Sequence, residues 1–407
     1  MKDFPAILGG SPVFDAKLPI VRPMLPPYSE LAEGFDRIIS SGMVTKGPYL
    51  QEFEEAVAEH LGVRHAVAVS SCTTGLVLAY RALGLTGDVI VPSFTFMATV
   101  SSLVVAGLRP VFADVDRETQ NVDPASVRQM ISPDTSAIVA VHNFGNPADI
   151  RALQEIADSH GLKLVFDAAH GFGTLYNGRP VGSSGAASVY SLSPTKLLIA
   201  GEGGIVATDD DKVAEMVRIG REYGNDGSYN SLFAGINARM PEFCALLGLH
   251  GLPGLEEAVA NRAALADLYR RELGAIPGLG FQHVRPEDRS SHKDFSFTVA
   301  KEKSGLSRDQ LAEALNRENI DVRRYYDPPA HRHLAYEAYA GGCRLPETDW
   351  LSENVICIPI WSHMTRETAL KVCEGVRRIF THSEQVASSL TASEAAAPAS
   401  LRGHEKS

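Results

Sequence analysis

Only Ser193, Pro194 and Thr195 separate Lys196 from the run ASVYSL (187–192), and the apolar stretch Leu197–Ala200 follows it. That neighbourhood suits a lysine directed into the protein. A lysine desolvated beside another cationic group has a lowered pKa and becomes a nucleophile. Asp167 lies near the end of KLVFDA (163–168). In open α/β sheets ligands bind beyond the carboxyl ends of the strands, so an acid there is placed to enter a site. Ser71-Cys72-Thr73-Thr74-Gly75 follows HAVAVS (65–70) and opens an apolar helix. Strand, small-residue turn and helix together form the geometry that presents backbone N–H groups to a phosphate. Phe96, just past DVIVPSF (88–94), could stack on a flat ring. Taken singly, each feature has an ordinary explanation: a surface lysine, a helix N-cap, a capped turn, a core phenylalanine. Cys72 as a nucleophile has no partner histidine identifiable from the sequence. Gly201-Glu202-Gly203-Gly204 reads as a turn before the next strand rather than a nucleotide loop.

The elements that would position these residues alternate. Further strands are expected at RPVFADV (109–115), AIVAVH (137–142) and GIVATD (204–209). Several of the seven runs are apolar throughout, which suits strands covered on both faces of a largely parallel sheet. Helical patterns such as TGLVLAYRALG and PADIRALQEIADSHG separate them. The fold class is therefore α/β, with a seven-stranded large domain. From Pro241 to about Leu273 the pattern is helical, with a kink expected at Gly251-Leu252-Pro253. Beyond it a smaller α+β domain is expected, with strands at Phe295–Val299, Asp321–Arg324 and Val355–Ile360. Ser307-Arg308-Asp309-Gln310 is a capping box opening LAEALNREN, and a helix runs from Thr365 to about Phe380. The resulting division is an N-terminal arm (1–30), a large domain (31–250), a linking helix with the small domain (251–382), and a tail (383–407) expected to be disordered.

The chain has 407 residues and a formal net charge of −11. An acidic surface argues against nucleic-acid or anionic-membrane partners, while leaving room for a local basic pocket. The five cysteines are scattered with no CxxC pair, so separate reduced thiols are expected and no metal site. The amino-terminal MKDFPAILGGSPVF lacks the apolar core of a signal peptide, and no apolar run is long enough to span a bilayer. A cytoplasmic, soluble enzyme is the expectation.

Order and spacing remove much of the ambiguity of the single features. The segment FDAAHGFGTLYNGRPVGSSGAASVYSLSPTKLLIAGEGGIVATDD (166–210) resembles the DegT/StrS family of sugar aminotransferases, which are pyridoxal-phosphate (PLP) enzymes of fold type I. The likeness extends to 89–116, 141–150 and GINARMPEFCALLGLHGL (235–252), and covers most of residues 20–380. The resemblance implies that Lys196 is the Schiff-base lysine and proton shuttle, and that Asp167 pairs with the pyridinium nitrogen. It places Cys72, Thr73 and Ser191 on the phosphate, Phe96 on the ring and His170 near the ring hydroxyl. Asn237 would reach the phosphate of a neighbouring subunit, making a homodimer with shared active sites the expected minimum. Arg239, Tyr326 and His331 fall in segments resembling substrate-facing loops. Cys72 stands where glycine is usual, His170 where glutamine is frequent, Leu192 where phenylalanine is usual, and Leu197 and Asn146 where asparagine and glutamine are common. The dehydratase branch, with histidine for the lysine, and the iron–sulfur branch are disfavoured by Lys196 and by the dispersed cysteines.

The activity implied is transfer of an amino group from glutamate or glutamine to a nucleotide-linked keto sugar, foremost a dTDP-4-keto-6-deoxyhexose, as in amino-sugar and antibiotic biosynthesis. A 3-keto sugar or a keto-inositol is the alternative acceptor. A PLP lyase and a non-catalytic PLP-binding regulator remain as other classes.

Overall fold

The structure, a computed structural model, describes residues 4–396, with side chains to 392. Seven strands form the main sheet: β1 (His65–Val69), β2 (Asp88–Pro92), β3 (Arg109–Ala113), β4 (Thr135–Val141), β5 (Lys163–Asp167), β8 (Ala187–Ser191) and β9 (Gly204–Thr208). A two-residue hairpin, β6 (Leu175–Tyr176) and β7 (Arg179–Pro180), intervenes. The spatial order is β1-β9-β8-β5-β4-β2-β3. β9 is antiparallel to both its neighbours, and the other adjacent pairs are parallel.

Period-two alternation sends successive side chains to opposite faces, and here both faces are dry. Ala66, Ala68, Ile90, Ile138, Phe166 and Ile205 pack on one side, with α2 (Pro48–Leu61) and α6 (Ile150–His160). Val67, Val69, Val89, Val91, Val139 and Val206 pack on the other, against α3 (Cys72–Ala82), α4 (Met97–Val105) and α7 (Asp211–Gly220). The result is a three-layer α/β/α domain, as the unbroken apolar runs predict.

The expected kinked helix is α8 (Glu242–Gly251), a 3-10 turn at Leu252–Gly254, and α9 (Leu255–Leu273). The first turn of α9 buries Leu255 and Val259 in the large-domain core, and its later turns bury Leu265, Leu268 and Tyr269 in the small-domain core. The small domain has an antiparallel sheet of β10 (Leu279–Phe281), β11 (Phe295–Val299) and β12 (Val355–Ile358). It is covered by α11 (Arg308–Arg317) and α14 (Arg366–Thr381). The capping box is present: the Ser307 hydroxyl accepts from the Gln310 N–H at 3.2 Å, and Gln310 Oε1 accepts from the Ser307 N–H at 3.0 Å.

Two expectations fail. No strand forms over 321–324; Arg323 makes a single antiparallel bridge to Cys357, and Ile320 a single parallel one to Leu18. The chain turns away at once towards Tyr325 and Tyr326, so the ladder has no room to lengthen. Residues 383 to 396, expected as part of a disordered tail, form the helix Ser383–Ala396. Val386 is buried in the small-domain core, with Ala387 and Leu390 packed beside it. The i, i+4 pair of Val386 and Leu390 in an alanine-rich segment is a helical signal that composition alone conceals. The rest of the expected tail, 397–407, lies outside the described residues.

Candidate active site

The carboxyl ends of the central strands surround a cavity of about 380 Å³. β5 delivers Asp167 to it, only 4% exposed. The hydroxyl of Thr99, in the first turn of α4, donates to Asp167 Oδ2 at 2.7 Å, and the Ala169 N–H donates to Oδ1 at 3.1 Å. Burial pushes this carboxyl above the usual range; Thr99, Ala169 and the charge of Lys196 oppose the rise. With about four lone-pair sites and two firm donors, the carboxylate keeps acceptor capacity.

β1 leads into α3, whose N-cap Ser71 and N3 residue Thr74 satisfy each other in a capping box. Among the described residues, nothing accepts a hydrogen bond from the N–H of Cys72 or Thr73. These free donors at the start of an 11-residue helix face the cavity, with the helix dipole behind them. Gly204, the first residue of β9, passes so close that a Cβ there would lie 2.6 Å from the Cys72 nitrogen. The Cys72 thiol is buried, donates to the Val189 carbonyl at 3.5 Å, and is pushed well above its usual pKa by desolvation.

Lys196 lies on the connection from β8 to β9. That connection is tied at both ends: the Leu192 N–H donates to the Gly203 carbonyl and the Ala200 N–H to the Leu192 carbonyl, each at 2.9 Å. Desolvation first, and then the charge of Lys293, lower the Lys196 ammonium to about 8. His170 is forced well below its usual value by burial and by the same two lysines, so it is neutral. Its Nδ1 accepts from the Phe144 N–H at 3.2 Å, which leaves the ring proton on Nε2.

The small domain supplies the facing wall. Tyr325 and Tyr326 line it; Tyr326 packs parallel to Phe144, with ring centroids 5.7 Å apart, and Phe144 in turn to His170 at 6.4 Å. Lys293 and Asp294, from the segment before β11, complete the wall, and the Lys293 ammonium lies 2.8 and 2.9 Å from the two Asp294 oxygens.

Of the residues singled out from the sequence, Cys72, Thr73, Phe96, Asp167 and His170 all line this one cavity, as do Ser191, Lys196 and Tyr326. Phe96 is 51% exposed at its mouth. Three others are elsewhere. Asn237 is exposed and bridges Glu222 through its backbone. Arg239 lies 3.5 Å from the Glu222 carboxylate and over the Tyr223 ring. His331 is buried: its Nδ1 is 2.7 Å from the Ser93 hydroxyl and its Nε2 3.3 Å from Asp349, so it fastens its loop to the end of β2. The structure thus gives His331, expected at the substrate, two protein partners outside this cavity. Its neighbour His333 lines an outer groove instead. Sequence reasoning missed Thr99, Lys293 and Asp294. The last two had a signal: adjacent opposite charges running directly into an apolar strand.

Residues 28–377 match the DegT/DnrJ/EryC1/StrS aminotransferase family, and the chain belongs to it. It is accordingly a PLP-dependent transaminase. It is 37% identical over 360 residues to a dTDP-3-amino-3,4,6-trideoxy-alpha-D-glucose transaminase of Streptomyces venezuelae, covering 86% of this chain and 93% of that one. It is 31% identical over 364 residues to a dTDP-4-amino-4,6-dideoxy-D-glucose transaminase of Escherichia coli, covering 88% and 97%. Among solved structures, DesI, determined in the presence of its TDP-sugar product, superposes with a TM-score of 0.89 at 36% identity, covering 95% of this chain and 99% of that one.

The cavity fits the family's cofactor. It holds a buried carboxylate with spare acceptor capacity, a half-buried lysine of lowered pKa, and two unpartnered N–H groups at a helix start. These are complements to a ring nitrogen, an aldehyde and a phosphate.

Proposed function

We propose that this enzyme moves the amino group of glutamate or glutamine onto a keto sugar carried by a nucleoside diphosphate, with a dTDP-4-keto-6-deoxyhexose as acceptor. The supporting observation is that the cavity is continuous with a second space. Thr95, Phe96, Tyr325 and Tyr326 line both, and the outer groove, of about 530 Å³, adds Lys17, Arg323, Arg324 and His333. Lys17 and Arg323 share Asp321, and Arg324 pairs with Asp309, so a diphosphate that displaced these carboxylates would find three positive partners beyond the point where the sugar meets Lys196.

PLP, when bound, supplies an aldehyde and a ring that accepts electrons from the carbon losing its proton. The chain supplies the rest. Lys196 meets the aldehyde with its amine and afterwards carries the proton between the substrate carbon and the cofactor. Asp167, held by Thr99 and Ala169, keeps the ring nitrogen protonated. Cys72 and Thr73 hold the phosphate through their N–H groups, with Ser191 beside them, and Phe96 covers the ring. Asn237, exposed outside this cavity, serves the partner subunit in a homodimer; Met43, Val44 and Leu232 are exposed apolar residues suited to that contact. No described helix is long and apolar enough to cross a membrane, which is compatible with a cytoplasmic enzyme.

The relative acting on a 3-amino sugar keeps a 3-keto acceptor as the second reading. The test is a panel of 3-keto and 4-keto nucleotide sugars and keto-inositols with glutamate and glutamine, read by product mass and stereochemistry. A 4-amino product is expected. Amination of a keto-inositol with every keto sugar untouched refutes the proposal.

A further inference from the structure

A transaminase cavity has to take two unlike molecules in turn. The amino donor carries a carboxylate on the carbon that reacts; a keto sugar has no charge there. A fixed cation beside Lys196 would favour the first and burden the second with an unpartnered charge. The structure offers an arrangement that avoids this conflict.

Lys293 and Asp294 are 5% and 7% exposed, and both line the cavity. Apart from Lys196, Lys293 carries the only ammonium or guanidinium group among the described residues lining this cavity. Its charge is the largest external influence on Lys196 after desolvation. The ammonium has three N–H donors, and its recorded partners are the two oxygens of Asp294. No other group donates to Asp294 among the described residues. A buried pair of this kind is a poor source of stability, since desolvation offsets its attraction. Its backbone is nevertheless held firmly: buried Arg262 donates to the carbonyls of His292 and Lys293, each at 3.0 Å. A rigid backbone thus presents a pair whose side chains bind only one another.

We infer that Lys293 is the donor-carboxylate subsite: its ammonium exchanges Asp294 for the α-carboxylate of the incoming amino acid, and returns to Asp294 when the sugar occupies the cavity. The inference rests on the donor-and-acceptor reading above. The α-carboxylate is one bond from the carbon presented to Lys196, so it has to lie against a wall close to that lysine. Lys293 provides the positive partner on such a wall. Each half-reaction then sees a compensated charge: carboxylate on ammonium in one, carboxylate of Asp294 on ammonium in the other.

The test uses the PLP-loaded enzyme and follows the cofactor's absorbance through the donor half-reaction alone. Glutamate is compared with its α-amide, which lacks the charge at issue. Wild type is expected to prefer glutamate by about 10- to 100-fold, the range for a hydrogen bond to a charged group. Lys293→Met is expected to abolish most of that preference and Lys293→Arg to restore part of it. Asp294→Asn, which frees the ammonium, is expected to lower the glutamate concentration needed for half-saturation. Should Lys293→Met fail to bind cofactor, the Arg and Asn variants still decide. A preference that survives in Lys293→Met, or a glutamate requirement that rises in Asp294→Asn, overturns the inference. Wild type that reacts with glutamate yet aminates no sugar refutes the sugar proposal alone, whereas silence towards every α-amino acid refutes both.

Discussion

Before its amine can join an aldehyde, Lys196 has to lose a proton, and the cavity sets how readily it does so. At the ordinary value of 10.5 about 0.03% of a lysine is uncharged at pH 7; at about 8 the share is about 10%. Burial and the neighbouring charge of Lys293 therefore enlarge the reactive fraction by about 300-fold. Cofactor-free enzyme mixed rapidly with PLP, with the absorbance of the bound form followed across pH, reads this fraction directly. The loading rate should climb about tenfold per pH unit, bend near pH 8 and run flat above it. In Lys293→Met the bend should move upward, because the charge that lowers the Lys196 value is gone while Asp294, which raises it, remains. A wild-type rate still climbing steeply beyond about pH 9.5 would refute the argument that desolvation activates this lysine.

The same shift has a stability consequence. A lysine with a folded value below its unfolded one binds fewer protons folded than unfolded, so the native state is penalised at low pH and relieved as pH rises from about 8 towards 10.5. Cofactor-free Lys196→Met should therefore resist denaturant better than cofactor-free wild type at pH 7, by at most about 3 kcal/mol, with the gap closing above about pH 8. Gly204→Ala puts a methyl group 2.6 Å from the Cys72 nitrogen. Fluorescence titration of the cofactor-free protein should show PLP affinity reduced by about 10-fold or more, the cost of displacing a phosphate donor; unchanged affinity would remove α3 from the phosphate site. His331→Ala should lower the unfolding free energy by about 1–3 kcal/mol through loss of its bonds to Ser93 and Asp349. Its KM for the sugar should stay within about twofold, and a large rise in KM would return His331 to the substrate site.

The large domain is readable from the sequence because its strands are buried on both sides. HAVAVS, KLVFDA and GIVATD begin where β1, β5 and β9 begin and overrun them by one residue, an error set by where hydrogen bonding stops rather than by hydrophobicity. The residues gathered in the cavity were legible for a related reason: Asp167 ends a strand, and Cys72 and Lys196 follow strand ends closely. Of the small-domain wall only Tyr326 was. Lys293 and Asp294 approach Lys196 only through the placement of β11 by α9, a contact between segments nearly a hundred residues apart that no local pattern encodes. His331 was singled out by the likeness of its segment to substrate-facing loops, and its contacts to Ser93 and Asp349 could not be read locally, Ser93 being more than two hundred residues away in the chain. Helix 383–396 was hidden by an alanine- and serine-rich composition in which Val386, the one buried residue among those whose side chains are described, carries the packing.

β9 runs against its neighbours, and that reversal governs the geography of the lysine. Had it run parallel, the chain leaving β8 would have needed to cross the full height of the sheet to start again at the far edge, carrying residues 192–203 away from Asp167. Because it runs back instead, the connection is a short bend pinned to both strands, and Lys196 is indexed to the middle of the sheet rather than to a free loop. Inserting or deleting one residue there would slide the lysine along the bend, so this stretch has almost no freedom of length, whereas the segment that walls the outer groove is tied to its neighbours in strand register only by the single bridges at Ile320 and Arg323.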